Sequence, residues 1–472
     1  MSSAKAMRQT MRDEFQIKGH WWLTDKEEKV SGILFYKKDD IKLELIGTLS
    51  KLKGGFANED EGENPIILGI SDKGEEFTLM GSFKTNFTIS SPGFRTETYY
   101  IDSFVAGRHF NAVKGMSFKS IEFYPSYFSK WISKSPFNNV LSKNGKLESI
   151  SFADSILFKE YVEPIKAVIE EANISNLSGD FSDNVIFNYK GGFKITPDEW
   201  KSFDWLDDVM YKLNNLYTLF INYPIYYESI VFHGEERTRY NYFIRQKEIE
   251  IKQKFKNQDV IITYREIQDN LSNIFNSWFE KQENLKVILD LYLSDFYTKS
   301  NLETRFLNSV QTLEIYHRRT YEGVLYDIES YSKYSSLLID YAQNELPVDM
   351  AMKIKGMLQH GNEFSLSKRL RELVRNIEPE TKKYFFGNSG NRDKFVQQLV
   401  DTRNYLTHYD KEQKSNILDN TDKIFYSVIR LKAFITLILF KEIGIDEKVI
   451  MSKIQDSKQY SYSITKAKEL LN

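Results

Sequence analysis

The sequence predicts an α+β protein of several domains, in which a β-rich N-terminal region is followed by an all-α helical bundle. The chain has 472 residues, more than one ordinary hydrophobic core accommodates. From Gly19 to about residue 125, apolar residues alternate with polar ones in short runs bounded by turn residues, and residues 125–270 are mixed. After about Leu271 the apolar residues recur every three or four positions, which is typical of helices. We therefore divide the chain into residues 1–270 and 271–472.

The alternating runs of the N-terminal region predict many short strands. They lie at 30–36, 41–47, 66–70, 77–80, 87–89, 98–101, 118–123, 225–232 and 240–244. Between them, apolar residues from Trp200 to Phe220 have helical spacing. Short strands separated by turns are typical of a sandwich or a barrel. The pair Trp21-Trp22 fits a core anchor better than a platform for stacking a ligand, and the isolated His20 and His109 have no partner at metal-ligand spacing.

The helical region contains several recognisable stripes. Leu302, Phe306, Val310 and Leu313 predict a helix that continues into His317-Arg318-Arg319, and residues 424–438 form another stripe that Gly444 ends. Ser367 is a candidate N-cap for a helix over 368–376, and residues 388–391 read as a loop.

Composition excludes several classes of function. The chain has no cysteine, so disulfide frameworks, thiolate metal sites and cysteine nucleophiles are excluded. The first twenty residues lack the apolar core of a signal peptide, and the apolar run 433–440 is too short to span a bilayer. We expect a soluble cytoplasmic protein without membrane contact. The net charge of −2 means that any contact with nucleic acid must use a local basic patch.

One segment of the helical region combines groups that phosphodiester chemistry uses. It is Asp401-Thr402-Arg403-Asn404-Tyr405-Leu406-Thr407-His408, with Phe395, Leu399 and Leu406 facing inward. Arginine matches phosphate oxygens with planar donors, histidine exchanges protons near neutral pH, and asparagine can orient either. On an ideal helix Arg403 and His408 point about 140° apart, so they do not converge on one phosphate. A two-fold dimer would supply two histidines and two arginines to one cleft.

Two basic clusters accompany this segment. His317, Arg318 and Arg319 lie together at a helix end and are candidate substrate-binding residues. Lys368, Arg369, Arg371 and Arg375 form the second cluster, which fits a solvated helix face better.

The helical half resembles the HEPN superfamily, specifically its Apea-like branch, in Leu313–Arg319 and in Asp401–His408. The N-terminal half, from Gly19-His20-Trp21-Trp22 through Val30-Ser31-Gly32, resembles the domain that accompanies such HEPN domains in bacterial anti-phage proteins. This resemblance implies a metal-independent endoribonuclease of abortive infection with a homodimeric active site and no cofactor. Because the motif has no acidic cluster for Mg²⁺, we expect cleavage to leave 2′,3′-cyclic phosphate and 5′-hydroxyl ends. It implies that Arg403 and His408 are catalytic and that Asn404 supports them.

Regulation is open at this point. HEPN toxins silenced by nucleotidylation have a tyrosine two places after the histidine, where this chain has Asp410, with Tyr409 adjacent to His408. The N-terminal region is therefore a candidate sensor or restraint, with a phage component as trigger. Two other hypotheses remain: a non-catalytic HEPN module that binds nucleotide or RNA, and a carbohydrate- or peptide-binding protein built on the β-rich region.

Overall fold

A computed structural model of the chain describes residues 9–471 apart from 50–51, 54–55, 58–64, 90–91, 153–155, 181, 248–254 and 409–415. The chain forms two compact units, Met1–Glu280 and Lys281–Asn472. Strands dominate the first unit, and helices make up the second. The predicted order of a β-rich region followed by an all-α bundle is confirmed.

The described residues of the first unit include twenty strands and four helices. The strands are β1 Phe15–Leu23, β2 Val30–Lys37, β3 Asp40–Ile46, β4 Leu52–Lys53, β5 Phe56–Ala57, β6 Ile67–Ser71, β7 Glu76–Met80, β8 Phe83–Ile89, β9 Arg95–Tyr100, β10 Ser103–Ala106, β11 Ser117–Phe118, β12 Ser120–Pro125, β13 Phe137–Leu141, β14 Leu147–Phe152, β15 Lys159–Val162, β16 Ala167–Ser178, β17 Ile186–Pro197, β18 Lys201–Ser202, β19 Tyr227–His233 and β20 Arg239–Ile244. The helices are α1 Phe128–Ile132, α2 Phe203–Ile221, α3 Tyr264–Ile267 and α4 Leu271–Glu280.

Most of these strands pair in one continuous antiparallel series. Its order is β15-β16-β17-β12-β19-β20-β10-β7-β6-β1-β2-β3-β9-β8, and the three further pairs are β11 with β18, β13 with β14 and β4 with β5. The short strands predicted as a sandwich or barrel thus belong to a single hydrogen-bonded sheet. Strands β16 and β17 were not predicted, because the outer part of β16, Asn173–Ser178, is exposed and lacks an apolar alternation.

The sheet core explains the tryptophan pair. Trp21 is fully buried and lies opposite Gly69 in the register of β1 and β6. A Cβ atom at position 69 would lie 2.2 Å from the Trp21 ring, so only glycine leaves room for that indole. Trp21 is therefore a core anchor, whereas the partly exposed Trp22 lies edge-on to His109, with ring centroids 5.1 Å apart.

Helix α4 belongs to the sheet-containing unit. The Trp278 Nε1–H donates to the Lys212 carbonyl at 2.9 Å, and the Glu163 N–H donates to Asn276 Oδ1 at 2.9 Å. These contacts explain why the compact units divide after Glu280. The sequence pattern predicts the boundary ten residues earlier, after residue 270.

The second unit contains ten helices in its described residues. They are α5 Gln282–Tyr297, α6 Leu302–Thr320, α7 Ile328–Glu345, α8 Val348–Gln359, α9 Leu366–Arg375, α10 Pro379–Phe386, α11 Ser389–His408, α12 Thr421–Glu442, α13 Glu447–Asp456 and α14 Lys458–Leu471. Helix α12 is buried along most of its length and packs on α6 and α14. No helix in the described ranges combines the length and the apolar character of a membrane span.

Two local predictions in this unit are wrong. Ser365, not Ser367, caps α9, because its side chain accepts the Lys368 N–H at 3.3 Å. The predicted loop at 388–391 is shorter than expected, since α11 already begins at Ser389. There, Asn388 Oδ1 accepts the Asn391 N–H at 2.9 Å in the manner of an N-cap.

Candidate active site

Helix α11 holds the arginine–asparagine–histidine segment at its C-terminal end. Phe395, Leu399 and Leu406 are buried as predicted, so the helix has a fixed orientation in the bundle. Thr402 is buried as well, and its Oγ1 accepts the backbone N–H of Leu418 at 2.9 Å. That hydrogen bond ties the end of α11 to the segment that leads into α12.

Arg403 and Asn404 lie together at the surface of this end of the helix. The Arg403 Nη1 donates to Asn404 Oδ1 at 3.2 Å, and the Arg403 side chain is 37% exposed. The Arg403 Nη2 lies 3.9 Å from Glu314 Oε2 on α6, which is the outer limit for an ion pair. The guanidinium is thus held near the surface by neighbours that leave part of it open to an incoming anion.

Arg318 lies close to Arg403, because both arginines face the Glu314 carboxylate. The Arg318 Nη2 lies 3.2 Å from Glu314 Oε1, so one carboxylate faces both arginines. Arg318 Nη1 also donates to Glu363 at 2.6 Å, and this hydrogen bond raises the pKa of the arginine and lowers the pKa of the Glu363 carboxyl. The structure therefore places Arg318 beside the Arg403 segment.

His317 takes a different position from the one expected of a substrate-binding residue. Its side chain is fully buried, and both ring nitrogens have partners: Nδ1 lies 3.1 Å from Arg369 Nη1, and Nε2 lies 2.7 Å from Glu372 Oε2. Arginine only donates, so Nδ1 must accept and Nε2–H must donate to Glu372. Burial, together with the charge of Arg369, lowers the His317 pKa. His317 is therefore a neutral structural link between α6 and α9 with no surface to offer a substrate.

Arg319 is exposed but points away from the segment. Its Nη1 donates to the backbone carbonyls of Glu283 at 2.8 Å and Asn284 at 3.3 Å, at the start of α5. The three residues grouped as one cluster in the sequence therefore have three surroundings, because successive helical positions point about 100° apart.

His408 is exposed and is the last residue of α11. It lies five positions, or about 7.5 Å of helix rise, beyond Arg403. Since α11 remains α-helical through both residues, the divergence expected from an ideal helix applies. Tyr409 and Asp410, on which the argument about nucleotidylation depends, lie outside the described residues.

A cavity of about 580 Å³ opens beside the segment. Its lining includes Thr402, Tyr405 and Leu406 of α11, together with Asn420 and Ile424 at the start of α12. Glu303 and Asp419 line it too, so an aromatic ring and an amide share the cavity with two carboxylates. The ring and the amide suit a planar polar group such as a nucleobase, whereas the carboxylates repel a phosphate. Across the described ranges, no group of three or more potential metal-ligating side chains converges.

The sequence predicted no role for Glu314 or Glu363, and it placed Arg369 on a solvated helix face, which is wrong because Arg369 is buried. Arg369 is 2% exposed, bonds the Phe364 carbonyl at 3.0 Å and lies 3.5 Å from Glu363. The spacing of Glu314 and Arg318, four apart on one helix, was a readable signal of an ion pair. The contacts of Glu363 and Arg369 join different elements and have no such local signal.

The protein-family model described as ApeA N-terminal domain 1 matches residues 16–278, which is more than half of the chain. The chain belongs to this family. The Apea-like HEPN model matches residues 307–449, and both matches confirm the resemblance seen in the sequence. Neither a curated protein nor a solved structure shows significant similarity to the chain.

The Apea-like HEPN match covers the whole candidate site. It includes Glu314 and Arg318 on α6, Glu363, and Arg403 to His408 on α11. HEPN domains are generally RNase modules, so membership supports an RNase-type role in anti-phage defence.

Proposed function

We propose that the chain is a metal-independent endoribonuclease and the toxin of an abortive-infection system against phage. The observation that supports this most is the state of Arg403, whose guanidinium is partly exposed next to Asn404 and whose ion pair within the described residues, with Glu314, is a long one. A phosphate can displace such a weak partner and accept the two parallel donors of the guanidinium. Arg318, 45% exposed, adds a second cation nearby.

In the proposed reaction the 2′-hydroxyl of the RNA attacks the adjacent phosphorus. The new bond from the 2′-oxygen closes a 2′,3′-cyclic phosphate, while the bond to the 5′-oxygen breaks. A base must accept the 2′-hydroxyl proton and an acid must protonate the leaving oxygen, which departs as a 5′-hydroxyl. His408 is the group we assign to proton transfer, and Arg403 would stabilise the charge that develops on the phosphate oxygens.

One protomer offers one such histidine, so we propose a homodimer through the HEPN domain. Two copies of α11 facing one cleft would supply the base from one His408 and the acid from the other. Asn404 would keep Arg403 in position in each copy, through the hydrogen bond that it already accepts.

Cleavage of purified RNA tests the reaction. Wild-type protein should cut in excess EDTA and leave cyclic phosphate and 5′-hydroxyl ends, and His408→Ala should lose these products. His20→Ala is the matched control, because His20 is an exposed histidine of the other unit. Cleavage that EDTA abolishes and Mg²⁺ restores would contradict the proposal, as would an active His408→Ala protein.

We further propose that residues 1–280 restrain the nuclease until a phage component binds. A fragment from Lys281 to Asn472 contains the complete helical unit and avoids cutting α4 away from its contacts. The fragment should be more toxic in cells than the full chain, and His408→Ala should remove that toxicity. A folded but harmless fragment would instead mean that the first unit helps to build the site or deliver RNA.

The cavity beside Tyr405 favours a second candidate, a HEPN module that binds nucleotide without cleaving it. A Tyr405→Ala variant separates the two. If the chain is a nucleotide-binding module, wild-type protein cleaves no RNA and Tyr405→Ala weakens nucleotide binding. If the chain is a nuclease, wild-type protein cleaves RNA.

A further inference from the structure

Helices α7 and α8 form a hairpin whose apolar residues are largely exposed. The two helices pack on each other, but among their side chains only Ala342 of α7 and Ala351 of α8 are fully buried. Ile339, Ile354 and Leu358 are only half-buried, so the hairpin has a small core of its own. Large apolar side chains that stay exposed in such a hairpin indicate an interaction surface.

Six of those side chains share one side of the hairpin, which we call the arm face. Four lie in one stripe on α7, namely Tyr334, Leu337, Leu338 and Tyr341, and two lie seven positions apart on α8, namely Met350 and Met357. All six side chains are between 53% and 67% exposed. On an ideal helix each stripe lies about 110° from the residues that face the other helix of the hairpin. In an antiparallel pair both rotations lead to the same side, so the six residues form a single surface.

The arm face is large enough to be an interface. Six large side chains that are each more than half exposed offer on the order of 600 Å². Each partner in a stable protein–protein interface buries about 800 Å² including its polar rim. Two tyrosines and two methionines also suit recognition, because tyrosine buries area at low entropic cost and methionine adapts its shape.

The order of residues on α7 indicates which partner fits. Tyr334, Leu337, Leu338 and Tyr341 read the same in both directions about a midpoint between the two leucines. A two-fold interface requires that residue i of one copy contact residue j of the other, while j contacts i. Two α7 helices that cross antiparallel would place each Tyr334 on the other copy's Tyr341 and each Leu337 on the other copy's Leu338.

We propose that the arm face is the docking surface for a second copy of this chain, with the two α7 helices antiparallel about a two-fold axis. This inference deepens the proposed function, because it names a surface that would join two HEPN domains. It does not depend on cleavage, and its tests use the full-length His408→Ala protein so that toxicity does not interfere.

The first test measures mass in solution. The His408→Ala protein should be a dimer at micromolar concentration by light scattering, and adding Leu337→Glu and Leu338→Glu should make it a monomer with an unchanged far-ultraviolet spectrum. Met352→Glu is the matched control: Met352 is 61% exposed on α8 but lies on the opposite side of the hairpin, so the dimer should persist.

The second test uses the absence of cysteine in the chain, which makes any introduced pair unambiguous. Proteins with Tyr334→Cys and with Tyr341→Cys should cross-link when mixed and oxidised, but not when either is oxidised alone. In the antiparallel arrangement the two copies of position 334 are about 10 Å apart along the axis. A disulfide needs Cα atoms within about 7 Å.

Either test can overturn the inference. A dimer that survives both glutamates would assign dimerisation to another surface and would leave the RNase proposal standing. A monomeric His408→Ala protein at micromolar concentration, or cross-linking of Tyr334→Cys with itself, would exclude the antiparallel arm interface. A wild-type protein that dimerises through the arm face but does not cleave RNA would instead count against the proposed function alone.

Discussion

Arg403 and Glu314 form an ion pair across α11 and α6 that is long, at 3.9 Å, while the same carboxylate binds Arg318 at 3.2 Å. Glu314 is therefore a competitor that any phosphate must displace from both arginines. A weak, partly exposed ion pair stabilises a protein by less than about 1 kcal/mol, so the exchange costs little. This arrangement would keep the arginines in place before substrate arrives.

We expect Glu314→Gln to bind single-stranded RNA about three-fold more tightly in the His408→Ala background. The substitution removes a negative charge beside the phosphate site and keeps the side-chain shape. Binding measured by fluorescence anisotropy at fixed salt checks this, with Glu329→Gln on α7 as a control for the change in net charge. Weaker binding would mean that Glu314 positions the arginines more than it competes.

Arg403→Lys should remain strongly impaired in RNA cleavage, by about 100-fold, even though it keeps the positive charge. A lysine ammonium lacks the planar fork that bonds two phosphate oxygens and the Asn404 side chain together. Single-turnover cleavage rates at saturating enzyme measure the effect. Activity of Arg403→Lys close to wild type would mean that Arg403 contributes only its positive charge and not its planar geometry.

The free energy of unfolding should fall as the pH drops below 6.5, and His317 should contribute to this fall. Burial lowers the His317 pKa, so the unfolded chain takes up a proton that the folded chain resists between the folded pKa and 6.5. His317→Gln preserves a donor and an acceptor but does not titrate there. Thermal unfolding from pH 5 to 7.5 should show a shallower slope for His317→Gln than for wild type.

Replacing Arg430 by methionine should raise the free energy of unfolding by about 1–4 kcal/mol at pH 7. Arg430 is fully buried in α12, and none of its three side-chain nitrogens has a hydrogen-bond partner among the described residues. Its guanidinium lies over the Phe395 ring, 4.4 Å from the ring centroid, and burial lowers its pKa to about 9. The cost of the buried charge therefore persists at every pH below about 9.

Lys432→Met is the matched comparison for Arg430 in urea unfolding. Lys432 is also largely buried, but it pairs with the buried Asp295 at 2.9 Å. Its removal weakens the pairing of that carboxylate, so stability should fall rather than rise. An Arg430→Met protein that is less stable than wild type would indicate that the guanidinium has an anionic partner in solution.

Local sequence patterns predicted the parts of the fold that depend on local periodicity. The stripe of α12, the inward residues of α11 and most strands before Pro125 follow from spacing alone. The burial of His317 was readable too, since Phe306, Val310 and Leu313 lead to position 317 on one helix face. The contacts of Arg318 with Glu363 and of His317 with Glu372 join residues 45 and 55 positions apart, and no local pattern encodes them.

The base of the α7–α8 hairpin has a consequence for how assembly and RNA binding influence each other. The hairpin closes through a bridge between Val324 and Glu363 and a hydrogen bond from the Phe364 N–H to the Gly323 carbonyl at 2.7 Å. Glu363 thus lies at the base of the hairpin and is also the ion-pair partner of Arg318. Two processes that both change the contacts of one residue are thermodynamically coupled, and such coupling is reciprocal. We expect RNA to change the dimer dissociation constant of the His408→Ala protein by the same factor by which dimerisation changes RNA affinity, and Glu363→Gln to reduce that factor in sedimentation measurements.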